Sequence, residues 1–365
     1  MRVKKKLKIG SLFKVLLFLI LVGLIVFLVY KIVTGDNTKK NASKEDNKKT
    51  EEKKDFKTKA PEIKLLGRED YIIVKNGVYE EYGATATDDV DGDISKNIKI
   101  DSKVKIDTPG EYKVTYTIED SEGQKASVDR KVTIINVTDP DTDGIPVLMY
   151  HYFYDDENGE TGEDANYLAI SMFKKQLDYF KENNYYFPSM KELSLYLDGK
   201  IELPSKSVII TMDDGAESNY RLAYPLAVQY KIPMVMFVVT SWTDISQPLQ
   251  QEMKNTGYII FQSHTHDMHQ GGCSGMKHGA LIQCINYEQG VADMSKSKEL
   301  LGSGDSMAYP CGDYNDQALN ILKEAGFELA FTVDFGKAKR GDNKLALPRV
   351  RVSDGNSLDY FIGCL

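Results

Sequence analysis

The chain has 365 residues, 42% of them hydrophobic and 27% charged, which is long enough for a membrane segment plus one or two globular domains with real cores. Its charge is divided: residues 1–60 carry 16 Lys+Arg against 6 Asp+Glu, whereas residues 61–365 carry 30 against 48. An acidic main body argues against nucleic acid as a partner.

Val15 to Tyr30 form a run of sixteen apolar or aromatic positions, extended by Leu12, Phe13, Ile32 and Val33 around Lys14 and Lys31. That is close to the helix length that crosses a bilayer. Arg2, Lys4, Lys5, Lys6 and Lys8 precede it and predict a cytoplasmic N-terminus, with everything after Lys31 outside the cell. No small-x-small cleavage site follows the run, which favours a retained single-pass anchor over 1–34 rather than a removed signal peptide. Residues 35–60 are Lys/Glu/Asn/Thr-rich with no apolar periodicity, and are expected to be a disordered tether.

Over 61–138 the texture changes to short alternating runs, "YIIVK", "NIKID", "EYKVTYTIED" and "SVDRKVTIIN", broken by turn residues. These predict a small all-β sandwich. Through "GATATDDVDGDIS" and "IDTPGEYKVTYTIEDSEG" the segment resembles the bacterial Ig-like domains of surface proteins. Its acidic cluster Asp88, Asp89, Asp91 and Asp93 has the oxygen donors calcium uses, although a plain polar turn is the simpler expectation.

From 145 to 365 β-branched apolar runs alternate with amphipathic helical stretches such as "SMFKKQLDYFKENN" and "NDQALNILKEAG". This βα repetition predicts parallel strands with outer helices, as a barrel or a doubly wound sheet. His151 ends the first predicted strand, Asp213 and Asp214 the second and His264 a later one, and Cys311 follows "SMAYP". In a barrel the C-terminal strand ends form one mouth, so these residues converge.

An extended strand would point Asp213 and Asp214 of "TMDDG" in opposite senses, while a turn at Gly215 lets both face one space. A helix N-cap needs only one Asp, and two buried carboxylates call for a cation. "FQSHTHDMHQGG" supplies His264, His266 and His269. Asp and His are ligands for zinc or another first-row divalent ion, and three of them leave positions open for catalysis, with a carboxylate as base for an activated water. Spacing does not rank the histidines: a continued strand pairs His264 with His266, a helix pairs His266 with His269, and His264 with His269 requires a turn. Four cysteines lie beyond residue 270 in a part of the chain expected to be oxidising. A Cys273–Cys284 disulfide is one expected pairing and free thiols the alternative.

"TMDDG", "SHTHDMH" and "AYPCGDYN", in this order, are similar to the motifs of the NodB-type polysaccharide deacetylases, carbohydrate esterase family 4. The H-T-x-x-x-H spacing resembles the branch that contains poly-β-1,6-N-acetylglucosamine deacetylases. The resemblance implies a distorted seven-stranded (β/α) barrel and a metal triad of Asp214, His264 and His269, with zinc expected first and cobalt, nickel or iron as alternatives. It further implies Asp213 as general base, a backbone N–H near Cys311 at the oxyanion, and His151, from the first strand, as general acid. "AYPCG" lacks the family's usual arginine, and Arg349 or Arg351 of "LPRVRV" is the expected replacement, with Arg349 entered as the candidate. Tyr152, Tyr309 and Trp242 are left unassigned, and Asp334 is a weak candidate for orienting a site group. The expected activity is metal-dependent N-deacetylation of an N-acetylglucosamine polymer, peptidoglycan first because an anchored enzyme meets the wall, with a secreted poly-N-acetylglucosamine as competitor. An inactive glycan-binding surface protein is the reading from another class.

Overall fold

The computed structural model describes residues 58–365 except 243, 244, 277 and 303. The expected anchor and almost all of the expected tether lie outside the described residues, and among the described residues no helix is long and apolar enough to cross a membrane.

The first part of the chain forms seven strands, β1 (Glu62–Leu65), β2 (Asp70–Val74), β3 (Ala84–Asp88), β4 (Gly92–Asp93), β5 (Lys99–Ser102), β6 (Gly110–Glu119) and β7 (Lys125–Ile135). They make two sheets, ordered β1-β3-β4 and β2-β7-β6-β5. Period-2 alternation sets the inner face: along β6, Val114, Tyr116 and Ile118 are buried while Lys113, Thr117 and Glu119 are exposed. Val114 and Tyr116 pack with Tyr71, Ile73, Val132 and Ile134 into one core, and Ile118 packs with Ala86 and Ile94 in a second cluster. Beside it the fully buried Arg130 donates to the carbonyls of Arg68 and Leu66, to the Tyr116 hydroxyl and to the Glu81 carboxylate.

The remaining strands are β8 (Val147–Tyr150), β9 (Tyr152–Tyr154), β10 (Tyr167–Ala169), β11 (Ile209–Met212), β12 (Met234–Val238), β13 (Ile259–Ser263), β14 (Ser306–Ala308), β15 (Leu329–Phe335) and β16 (Leu347–Arg351). Seven close into a barrel in the order β11-β12-β13-β14-β15-β16-β8, with every neighbouring pair parallel. Strands covered on both faces read as continuous apolar runs, and all four positions of "VLMY" in β8 are buried. Outside lie α1 (Ile170–Glu182), α2 (Met190–Leu197), α3 (Tyr224–Tyr230), α4 (Gln247–Thr256), α5 (Tyr287–Leu301), α6 (Asp316–Glu324) and α7 (Leu358–Gly363). Helix α1 buries Ile170, Phe173, Leu177 and Phe180 at helical spacing. Helix α2 opens with a reciprocal Ser189–Glu192 capping box.

The sandwich sits at the N-terminal ends of the barrel strands. Gly67 N–H donates to the Asn255 carbonyl at 2.7 Å, and Val74 N–H to the Tyr186 hydroxyl, which itself donates to Glu192 at 2.7 Å. A cavity of about 730 Å³ lies at this junction, between Tyr71 and Tyr82 on one side and Phe187 and Ile259 on the other. It is far from the histidine cluster, because the strands carry their chemistry at the other end. Replacing Arg130 by Met leaves Glu81 without its charged partner and the Arg68 and Leu66 carbonyls without that donor. Urea denaturation of the purified chain is expected to show a loss of about 3 kcal/mol for the transition that unfolds the sandwich.

Candidate metal centre and catalytic site

Strand β11 ends at Met212 and delivers two carboxylates in succession. Asp213 stays in register, its N–H donating to the Tyr150 carbonyl at 3.0 Å. Asp214 then takes a left-handed backbone, φ 73°, and Gly215 repeats it, which turns the second carboxylate back toward the mouth. Gly215 has no substitute here, because a Cβ would stand 2.6 Å from a Val238 side-chain carbon.

Asp213 is buried at 2% exposure and is gripped by Arg349 through two bonds of 2.7 Å, Nη1 to Oδ1 and Nη2 to Oδ2. Burial opposes its ionisation. The guanidinium, with help from His264 and His151, more than offsets this and holds the carboxyl below its usual range. Arg349 is itself fully buried and braced by the Thr332 carbonyl at 2.9 Å and the Thr211 hydroxyl at 3.2 Å. Arg351 faces outward and bonds Asn166.

His264 follows β13 directly. Its Nδ1–H donates to the Ala308 carbonyl at 2.7 Å, so Nε2 faces Asp214 Oδ1 at 3.4 Å. Thr265 breaks the strand with φ 76°, and the chain turns so that His269 Nε2 also lies 3.4 Å from Asp214 Oδ1, with the two imidazole rings 4.6 Å apart. His266 points elsewhere, to the Thr240 hydroxyl at 2.9 Å. Burial resists protonation of His264, yet Asp214 and Asp213 raise its proton affinity above the usual histidine value. His269 is shifted down by burial and by His264. Asp214 is partly buried, which opposes its ionisation, but His264 and the Tyr152 hydroxyl keep it well below the usual carboxylate range.

One donor atom from each of Asp214, His264 and His269 lies within 4.8 Å of the others. Two imidazole nitrogens and one carboxylate oxygen suit a first-row divalent ion, and the Nδ1 bond of His264 to a carbonyl fixes the tautomer that leaves Nε2 free to ligate. The residues fit a resident ion. His151, one residue past β8, is half-buried at the same mouth, and its Nδ1 finds no hydrogen-bond partner among the described residues. Burial lowers its proton affinity against the pull of Asp213 and Asp214. Cys311 follows β14 in a tight turn with φ 55°. The turn's own bonds, from Gly312 N–H to Tyr309 at 2.9 Å and Asp313 N–H to Pro310 at 3.1 Å, leave the Cys311 N–H uncommitted within it. A cavity of about 270 Å³ opens beside Asp214, walled by Tyr152, Val239, Trp242 and Ile245.

Residues 200–330 match the family model described as polysaccharide deacetylase, and residues 63–134 match that of the bacterial surface protein Ig-like domain. A poly-beta-1,6-N-acetyl-D-glucosamine N-deacetylase of Staphylococcus aureus is 32% identical over 207 residues, 53% of this chain and 70% of that protein. The chain belongs to the polysaccharide deacetylase family. Among solved structures, IcaB from Ammonifex degensii is 29% identical with a TM-score of 0.52, covering 60% of this chain and 95% of that one. The Streptococcus pyogenes deacetylase PplD in complex with acetate is 26% identical with a TM-score of 0.53, covering 61% and 99%.

Several residues that shape this deacetylase site are given no role by the sequence pattern. Asp293 of α5 accepts the N–H groups of His266 and Asp267, each at 2.8 Å, and so holds the loop that returns His269 to Asp214. Tyr152 bonds Asp214, Trp242 packs its edge on His269 at 4.7 Å, and His278 bonds Asp313 at 2.8 Å. Tyr309 is core: it stacks on Tyr314 and bonds the Leu345 carbonyl. Asp334 bonds Thr332 of its own strand. Cys273 and Cys284 form a disulfide that closes the loop after His269, while Cys311 and Cys364 are free thiols.

Zinc titration of the chelator-stripped protein by calorimetry separates these roles. His264→Ala and His269→Ala are each expected to weaken binding more than 100-fold, and His266→Ala less than about tenfold. Asp293→Ala, acting only through the loop, is expected to cost about 10- to 100-fold, as outer partners of ligands do.

Proposed function

We propose that this protein hydrolyses the acetamide of N-acetylglucosamine residues in a surface polysaccharide, with one divalent ion held by Asp214, His264 and His269 and zinc as the first candidate. The observation that carries this is the buried carboxylate Asp213, fixed by Arg349 immediately beside that three-donor cluster. Similarity to the staphylococcal enzyme favours a β-1,6-linked poly-N-acetylglucosamine as substrate over peptidoglycan. The apolar run and basic flank near the N-terminus support a location on the outer face of the cell membrane.

When bound, the ion supplies Lewis acidity to the acetamide carbonyl and to a water. Asp213 stays ionised because Arg349 holds it so, and accepts the proton that the attacking water loses. The uncommitted Cys311 N–H is the donor available to the oxygen on which negative charge develops. His151 gives a proton to the departing nitrogen; its lowered proton affinity makes it a willing donor once protonated. The C–N bond breaks, acetate leaves, and the sugar keeps a free amine.

Acetate release from purified poly-β-1,6-N-acetylglucosamine and from peptidoglycan, measured side by side, tests this reading, with faster release from the former expected. Asp213→Asn is expected to lower kcat by about 10²- to 10⁴-fold, and unchanged activity in that variant would sink the mechanism. A chain that binds the polymer but releases no acetate is instead a glycan-binding protein.

The pH profile offers a second check. The productive form needs Asp213 ionised, so activity is lost as pH falls through the Asp213 pKa. Arg349 keeps that value below the usual carboxylate range, so Arg349→Met is expected to move the acidic limb of kcat/KM to higher pH, with near-native circular dichroism as the folding control.

A further inference from the structure

The Ig-like sandwich holds a second cluster that deacetylation does not use. Alternation along β3 and β6 puts Asp88 on the face of Ala86 and Asp120 on the face of Ile118. Ala86 and Ile118 pack together with Ile94 in one inner cluster, so both carboxyl groups follow it toward the same end of the sandwich. The two loops meet there: Asp91 accepts the Ser121 N–H and hydroxyl, both at 2.7 Å. The first described residues close over this end, with Gln124 Nε2 donating to the Thr58 hydroxyl at 2.8 Å and to the Lys59 carbonyl at 3.1 Å.

Each inward carboxylate satisfies only one oxygen. Asp120 Oδ1 accepts Glu122 N–H at 2.9 Å and Gln124 N–H at 2.7 Å, and Asp88 Oδ1 accepts Val90 and Asp91 N–H, each at 2.9 Å. Oδ2 of both residues is buried with no hydrogen-bond partner among the described residues, and Asp120 as a whole is only 8% exposed. A buried, unpartnered carboxylate oxygen is costly, and here two of them lie on loops that touch.

We propose that Asp88 and Asp120 bind a calcium ion at this end of the sandwich. Neither belongs to a group of three or more Asp, Glu, His or Cys donors among the described residues. The remaining ligands are main-chain carbonyls and water, a hard oxygen set that calcium accepts and zinc does not. Binding pins the 88–93 and 120–124 loops together where the chain enters the sandwich. Affinity belongs in the range of extracellular modules, about 10⁻⁴–10⁻³ M.

The full-length chain, stripped with chelator, is titrated with calcium chloride by calorimetry and followed by hydrogen exchange. One ion is expected, with slowed exchange in 88–93 and 120–124. Asp120→Asn keeps the Oδ1 acceptor and hence the turn, and is expected to weaken binding at least tenfold; Asp88→Asn does the same if the first variant misfolds. Asp214→Asn, at the barrel mouth, is expected to bind calcium as the parent does. No uptake by the parent up to about 10 mM, ten times the weak end of that range, overturns the proposal. So does uptake that survives both sandwich variants or disappears only with Asp214→Asn.

Discussion

Two adjacent carboxylates, one buried and one partly buried, stand at the end of one strand, and most of the site is the arrangement that makes this tolerable. Like charges about 4 Å apart repel by about 4 kcal/mol at the effective dielectric of such places, and a buried charge without a partner costs several more. The two residues are compensated differently. Asp213 has a dedicated cation in Arg349, so that pair is neutral overall. Asp214 meets two imidazoles and a tyrosine hydroxyl, and no Lys or Arg pairs with it among the described residues. One negative charge is therefore left for two neutral histidines to share with a divalent ion, which would retain a net positive charge directed at a carbonyl. The two carboxylates raise the proton affinity of His264, and a proton on its Nε2 would compete with an ion there, so ion binding is favoured at neutral over acidic pH.

The arginine reaches Asp213 from an unexpected part of the chain. The third motif, "AYPCG", offers none, and its place is taken from β16, some forty residues later. The closure of the barrel explains why this works. Strand β16 is next to β8 and β8 is next to β11, so β16 and β11 are alternate strands, and inward side chains of alternate strands stand in one layer. Arg349 lies in the layer of Thr211 and reaches Asp213 just above it. Arg351, two residues on, has passed beyond the rim and meets solvent and Asn166 instead.

The βα texture, the buried character of β8 and β12, and the alternation of β6 were plain in the sequence because burial on one face or two writes a period into the residue string. Asp213, Asp214, His264 and Cys311 could be placed at strand ends for the same reason. Helix α5 was not singled out, and with it went Asp293, since an acid on an amphipathic helix looks like any solvated side chain until the loop it holds is known. The strand and helix periods each offered a wrong pair of histidines. Only a turn selects His264 with His269, and turns of that kind leave no period to read.

That turn shows where local rules yield to function. Six non-glycine residues among those described have positive φ, and three of them, Asp214, Thr265 and Cys311, lie one in each motif of the site. Asp tolerates the left-handed region moderately well, whereas a β-branched threonine is among the residues least suited to it. Such conformations cost on the order of 1–3 kcal/mol each and persist only where their surroundings over-determine them. Around Thr265 those surroundings are visible. Its carbonyl accepts the Thr240 N–H at 3.1 Å, its N–H donates to the Ser263 hydroxyl at 3.0 Å, and its hydroxyl accepts the Met268 N–H at 3.1 Å. Asp293 holds the next two amides. The histidine spacing alone does not bring His264 and His269 together; this bonded cage forces the reversal, and their pairing is as much a product of Ser263, Thr265 and Asp293 as of the histidines.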